Sequence, residues 1–274
     1  MDFITIRVTC QDSLSDYLMS LLFEIGFDAF QELEDGFEGS CEEHVFDANQ
    51  LSGLLSSFSD VSFELKEQEK VNWNEEWEKN YDPIIIGDQC IVRASFHEPR
   101  PEFDYEIIVT PKMSFGTGHH ATTYQILAYQ MTLDHEGKQV LDVGTGTGVL
   151  AIMAQKRGAK HLVATDIDDW CIENSTENFE LNGVKNYALH QYEIEELEHN
   201  EFDIIIANIN KNVLLDQLGQ YATRLKTHGK LILSGFYQED MADLITTASK
   251  HALEKIDHSV KDNWAMLVLS KQSI

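Results

Sequence analysis

The sequence predicts an α/β protein: a mostly parallel sheet of seven strands with helices on both faces, preceded by a small α+β domain. Three observations predict it. From residue 120 onward, apolar runs of strand length alternate with stretches of helical period. A strand, a glycine-rich turn and a helix follow one another over Gln139 to Ile152. All four prolines, Pro83, Pro99, Pro101 and Pro111, fall between two differently patterned halves.

The leading half reads as follows. Phe3 to Val8 alternates as a strand, and Ser15 to Phe23 places apolar residues at helical spacing with Gly26 as a C-terminal stop. Phe27 to Leu33 and Gly39 to Phe46 read as short strands, Gln50 to Phe58 as a second helix and Val61 to Leu65 as a last strand. The order β-α-β-β-α-β is ferredoxin-like, a common platform for binding. This domain is expected over 1–65. A charged, tryptophan-bearing linker helix is expected over 66–82, and the second domain over 83–274.

In the second half, strands between residues 90 and 110 are expected to cover the entrance to a site. Helix 120–131, strand 139–143, helix 147–157, strand 161–165 and helix 168–181 then alternate. Strands near 186–191 and 203–208, helix 211–226, strand 230–234 and helix 239–251 continue the pattern. The last two strands, between 254 and 270 and joined through Asp262-Asn263, read as an antiparallel edge hairpin.

Composition bounds the function. The 274 residues include 47 acidic and 20 basic side chains, a net charge of −27. Residues 1–82 hold 20 acids and 4 bases, more than half of the excess. Such a surface repels nucleic acid and anionic lipid and attracts basic partners at long range. No apolar run approaches the length of a membrane span, and Met1 to Arg7 reads directly as strand rather than leader. Cys10, Cys41, Cys90 and Cys171 are scattered without a C-x-x-C pair, so neither a disulfide framework nor a zinc site is indicated. A cytoplasmic setting, a monomer and no nucleic-acid or membrane binding are expected.

The chemistry concentrates at four places. Asp142, then Gly144, Gly146 and Gly148 at every second position, mark a strand and a turn too tight for side chains. Asp166 ends the next apolar run, 22 residues after Gly144, where an acid can accept both hydroxyls of a ribose. A nucleoside-containing cofactor is therefore expected. The dinucleotide fingerprint is G-x-G-x-x-G, whose third glycine this chain carries one place earlier, with Val149 in its stead. That favours a sulfonium cofactor with an amino-acid tail, while a nicotinamide or flavin stays open on this motif alone. Ile167 is expected to cover the adenine, and Gln191 to Glu193 to meet its edge.

Asn208 ends the buried run Phe202 to Asn208, where its amide oxygen can accept from an incoming amine; Asn210 suits the helix N-cap better. Thr110 to Thr123 forms the fourth place, a Gly116/Gly118 loop running into a helix whose start carries His119, His120, Thr122 and Thr123. Hydroxyls and N–H groups there can meet a carboxylate. The His-His pair lacks the spacing of a metal site, so no metal is expected, and a general-base role for either histidine has no further support.

Taken together, Phe115-Gly-Thr-Gly-His-His-Ala-Thr-Thr123, Asp142 to Ile152, Asp166-Ile-Asp168 and Ala207-Asn208-Ile209 occur in the order and at the intervals of the PrmA family, with Trp73-Asn-Glu-Glu-Trp-Glu-Lys79 similar to its linker. The resemblance spans the chain from about residue 60. It implies a class I S-adenosylmethionine-dependent methyltransferase fold, Rossmann-like, acting on large-subunit ribosomal protein eleven. Lysine side chains and an α-amine would be modified, with trimethylation possible. It also implies cofactor contacts at Thr123, Gly144, Asp166 and Asn208; the glycine turn itself adds Thr145 and Gly146, and the strand end adds Ile167, with Asn208 expected to orient the amine. The leading domain would recognise the substrate, taken as the free basic protein before assembly. Related amide and base methyltransferases carry N-P-P-Y where this chain has Asn208-Ile209-Asn210, which argues against a glutamine or nucleobase substrate.

Overall fold

The structure, a computed structural model, describes residues 3–68, 81–112, 120–197 and 201–273. It divides into two compact units, 1–81 and 82–274.

The first unit carries β1 (Phe3–Thr9), α1 (Asp12–Glu24), β2 (Ala29–Leu33), β3 (Gly36–Glu42), α2 (Ala48–Leu55) and β4 (Ser62–Gln68). The sheet order is β2-β3-β1-β4 with every pairing antiparallel, the ferredoxin-like arrangement expected. Ile4, Ile6 and Val8 alternate inward against the i, i+4 pairs Leu18/Leu22 and Leu51/Leu55. Asp47 starts α2 by accepting from the N–H groups of Asn49 and Gln50. Lys66, Glu67 and Gln68 are strand rather than the start of a linker helix, because β4 keeps its register against Thr5, Ile4 and Phe3 to the end of β1. Residues 69–80 of the expected helix, with Trp73 and Trp77, lie outside the described residues.

The second unit opens with β5 (Ile84–Ile86), β6 (Cys90–Ala94) and β7 (Tyr105–Val109), a separate three-stranded sheet. The main sheet and its helices follow: α3 (Ala121–Thr132), β8 (Gln139–Val143), α4 (Val149–Lys156), β9 (His161–Asp166), α5 (Asp169–Leu181), β10 (Tyr187–Gln191) and β11 (Phe202–Asn208). After these come α6 (Lys211–Arg224), β12 (Leu225–Tyr237), α7 (Met241–Ser249), β13 (Leu253–Lys261) and β14 (Trp264–Lys271). The order is β10-β9-β8-β11-β12-β14-β13, and β14 alone runs against the rest. The chain leaves β8 toward β9 and β10, then returns to its other side with β11. That reversal is the switch point where a parallel sheet opens a crevice at its carboxyl ends.

The small sheet does not cover that crevice, contrary to expectation. Ile86, Val92, Ile107 and Val109 are buried in one core with Val149 and Met153 of α4. Asn174, Asn178 and Asn182, at i, i+4 and i+8 on α5, hold the edge of β7. Asn182 and Asn178 accept from the N–H groups of Ile108 (3.0 Å) and Thr110 (2.7 Å), and Asn174 donates to the Thr110 carbonyl (3.1 Å). The strands are so apolar because they pack against helices, which their spacing alone does not reveal.

Candidate active site

The site is built at the carboxyl ends of β8, β9, β10 and β11. Val140, Leu141 and Val143 bury β8 in the sheet, and the chain then turns through Gly144, Gly146 and Gly148 at φ 68°, 55° and 80°. All three lie in the left-handed region, which accounts for glycine at every second position. The N–H groups of Gly144 and Thr145 both donate to the Thr165 carbonyl, at 2.9 and 3.0 Å, stitching the turn to the end of β9.

Asp166 is pinned from two directions. Its Oδ2 accepts from Gly146 N–H at 2.9 Å and its Oδ1 from Asp168 N–H at 3.2 Å. Each carboxylate oxygen keeps further acceptor capacity for a hydroxyl. Beneath the turn, Asp142 is fully buried. Its Oδ2 accepts from the Thr145 hydroxyl at 2.7 Å. Burial pushes the Asp142 carboxyl up to about 7; the Thr145 hydrogen bond opposes this, the nearby Asp166 charge adds to it, and the Ala151 N–H opposes it again.

At the end of β11, Asn208 donates through Nδ2 to the buried Thr123 Oγ1 at 3.3 Å, while its Oδ1 is buried and has no partner among the described residues. Asn210 does cap α6, accepting from Val213 N–H at 3.2 Å, so Asn208 is released from that duty. Glycines crowd the intervening Ile209. A Cβ on Gly144 would stand 2.4 Å from Ile209 Cγ2, and one on Gly235 would stand 2.1 Å from the Ile209 carbonyl oxygen.

These groups surround a cleft of about 630 Å³. Of the expected residues, Gly144, Gly146, Asp166, Ile167 and Asn208 line it. Thr123 and Thr145 sit behind the wall, holding Asn208 and Asp142, and the neighbouring Thr122 lines the cleft instead. Tyr192 and Glu193 line it from the end of β10, whereas Gln191 turns away to donate to the Ile167 carbonyl. His120 lines the cleft and N-caps α3, accepting from Thr122 N–H at 3.3 Å. His119 and the Gly116/Gly118 loop lie outside the described residues. Trp170, Gly235 and Trp264 also line the cleft and were not singled out in the sequence. A Trp directly after the Asp262-Asn263 turn was the available signal.

The donor set suits a sulfonium nucleoside better than a dinucleotide. The wall combines apolar Val143, Ile167 and Ile194 with the Asp166 carboxylate, and no Lys or Arg among the described residues lines it to receive a pyrophosphate. Asn208 Oδ1 is a buried acceptor without a partner among the described residues. Among the described residues, no helix is long and apolar enough to cross a membrane.

Comparison with known proteins agrees with this geometry. The family model described as ribosomal protein L11 methyltransferase (PrmA) matches residues 3–272. Ribosomal protein L11 methyltransferases of Bacteroides fragilis and Porphyromonas gingivalis are 40% and 41% identical over 262 and 266 residues. These alignments cover 93% and 94% of this chain and 94% and 91% of the relatives. The crystal structure of a ribosomal protein L11 methylase from Lactobacillus delbrueckii subsp. bulgaricus superposes with a TM-score of 0.65 at 28% identity, covering 70% of this chain and 99% of that one. The chain belongs to the PrmA family of ribosomal protein L11 methyltransferases.

Proposed function

We propose that the chain transfers methyl groups from S-adenosylmethionine to lysine side chains and the N-terminal α-amine of ribosomal protein L11. The observation that carries this reading is the orphaned, buried Oδ1 of Asn208 on the wall of the cleft, held in place by Thr123. When bound, S-adenosylmethionine supplies a methyl carbon activated by a positive sulfur. Asp166 holds the ribose, Ile167 and Tyr192 flank the adenine, and the turn at Gly144 to Gly148 lies against the amino-acid end. Asn208 Oδ1 and the backbone carbonyls beside it accept N–H bonds from the incoming amine, which turns the nitrogen lone pair toward the methyl carbon. Positioning of this kind accounts for much of the rate in an in-line displacement.

The attacking nitrogen must be neutral. A lysine has a pKa of about 10.4 and an α-amine one of about 8, and a cationic sulfonium beside a desolvated amine lowers both. Proton loss to water, with Asn208 orienting the neutral amine, is sufficient. At saturating substrate the rate then falls tenfold per pH unit below the amine pKa, in wild type and in a His119→Ala, His120→Ala variant alike. A bell-shaped profile that loses its acid limb in the variant would contradict this.

Residues 1–65 serve as the substrate-recognition domain in this reading and residues 83–274 as the catalytic domain. Residues 1–65 hold 14 acids and one base, and that base, Arg7, is bound to Asp35. Such a surface suits a basic protein and repels RNA, so the free protein is modified before assembly. Mass spectrometry of the cell's large-subunit ribosomal proteins, with and without the gene, tests the reading. Ribosomal protein L11 should lose mass in steps of one methyl group; an unchanged L11 mass would overturn the assignment.

A further inference from the structure

Trp264 opens β14 directly after a two-residue turn whose Asp262 and Asn263 are both left-handed, at φ 51° and 66°. Its backbone and its ring are both held. Gln125 Nε2 donates to the Trp264 carbonyl at 3.1 Å and is itself anchored by the Ser259 hydroxyl, which donates to Gln125 Oε1 at 2.7 Å. Tyr237, its register partner on β12, packs on the ring at 4.3 Å and 33°, and His120 meets it edge-on at 4.6 Å. The indole is half-buried and borders the cleft.

Its position places it on the acceptor side. Strand order sets β14 four places from β9 and two from β11, so its axis runs about 19 Å from that of β9 and about 10 Å from that of β11 at ordinary strand spacing. The acids that line the cleft, Asp166, Asp168 and Glu193, all end or follow β9 or β10. On the β11–β12–β14 side, the polar lining side chains are the amides of Asn208, Asn210 and Gln217, with His120 and Thr122 of the α3 start beside Trp264, and no carboxylate among the described residues lines that side. Amide oxygens hold an amine only through its N–H groups, and each methyl removes one. An aromatic face instead attracts the cation itself and suits it better as methyls replace hydrogens.

Resting on the reading that this cleft methylates amines, we propose that Trp264 is the specificity-determining surface that retains the partly methylated amine and so sets how many methyl groups are added. In each transfer the nitrogen lone pair forms the N–CH3 bond as the S–CH3 bond breaks, its electron pair staying on sulfur. The product ammonium gives a proton to water before the next transfer. After the third methyl it has none to give and leaves as a permanent cation.

The test follows single methyl additions to purified ribosomal protein L11 by intact-mass spectrometry, using wild type, Trp264→Phe and Trp264→Leu. The expected result in Trp264→Leu is a loss of about tenfold in the third addition against less than about threefold in the first. Trp264→Phe should lie between, and S-adenosylmethionine affinity should be retained in both. Equal loss at every step, an unchanged product distribution in Trp264→Leu, or a wild type that stops at one methyl would each overturn the proposal. A wild type that adds no methyl to this protein overturns the parent reading as well, and is distinguishable from those results. Should Trp264→Leu not fold, wild type alone decides. A substrate-derived peptide carrying trimethyllysine should compete with substrate about tenfold better than the same peptide carrying its neutral tert-butyl analogue. Equal competition would overturn the proposal.

Discussion

Asn208 and Thr123 stand 85 positions apart in the chain and meet through one hydrogen bond, Asn208 Nδ2 donating to Thr123 Oγ1 over 3.3 Å. Because the Thr123 side chain is fully buried in α3, this bond fixes which way the amide faces. It leaves Oδ1 buried and without a partner among the described residues, on a side chain that lines the cleft. In the proposed mechanism Thr123 is therefore a positioning residue and Asn208 the catalytic one.

Thr123→Val keeps the shape and removes the acceptor, so the Asn208 amide is free to rotate. The expected outcome is a fall in kcat of about tenfold to a hundredfold, with cofactor affinity changed by less than about threefold. Asn208→Ala should lose about a hundredfold to a thousandfold. Steady-state kinetics with calorimetric titration of the cofactor checks both. Equal losses in kcat and cofactor affinity for Thr123→Val would mean that it merely holds the fold.

Gly235 tests the seat of the same turn from another strand. At φ 94°, with an added Cβ falling 2.1 Å from the Ile209 carbonyl oxygen, Gly235→Ala must displace the backbone that follows Asn208. Activity should fall by about a hundredfold or more while cofactor binding survives. Gly183→Ala is the control, since it has φ 64° but open space around its Cβ. It should cost only the left-handed backbone penalty of about 1 to 2 kcal/mol in stability and leave turnover intact. Turnover and urea midpoints of the two variants separate crowding from strain.

These residues also mark how much was legible in the sequence. Gly144, Gly146, Asp166 and Asn208 were, because their roles depend on short-range order: a turn after a strand, an acid at a strand end, an amide before a helix cap. Gly235 and Trp264 were not, because what they touch, Ile209 and His120, comes from elements far away in sequence. Strand and helix periods located the elements of the main sheet within a few residues, except β12, whose described extent of Leu225–Tyr237 passes through Gly229 and Gly235. The packing side of β5 to β7 was misread for a physical reason. An apolar strand announces burial, but the Asn174, Asn178 and Asn182 ladder that decides its partner is polar and distant in sequence, and gives no apolar signal.

His135 gives the acid limit of stability. It is fully buried, its Nδ1 bonds the Leu133 carbonyl at 3.0 Å, and its Nε2 has no partner among the described residues. Burial lowers its pKa from 6.5 to about 4. Between those values the unfolded chain binds a proton that the native state refuses, so stability is full above 6.5 and falls as pH drops toward 4. The ceiling is about 3 kcal/mol. His135→Phe should flatten the decline of the urea midpoint between pH 6.5 and 4.5. A decline of unchanged steepness would assign acid lability to other groups.

Asp142 carries the opposite sign and ties stability to function. Its carboxyl is raised from 3.8 to about 7 by burial, so between those values the native state holds a proton that the unfolded chain has released. Stability therefore falls as pH rises from 4 to 7, and above 7 the ionised buried carboxylate costs on the order of 4 kcal/mol. Asp142→Asn keeps an oxygen for the Thr145 hydroxyl and removes the charge. It should melt higher than wild type at pH 8, by about 2 to 4 °C per kcal/mol recovered, and show little difference at pH 4.5. In the proposed site the charge lies under the turn that would face a cationic cofactor, a use that would offset this cost. Asp142→Asn should accordingly weaken S-adenosylmethionine at pH 8 more than it weakens the neutral thioether left after transfer. Calorimetric titration of both ligands at pH 8 measures the difference. Equal weakening would mean that Asp142 acts through the shape of the turn rather than through its charge.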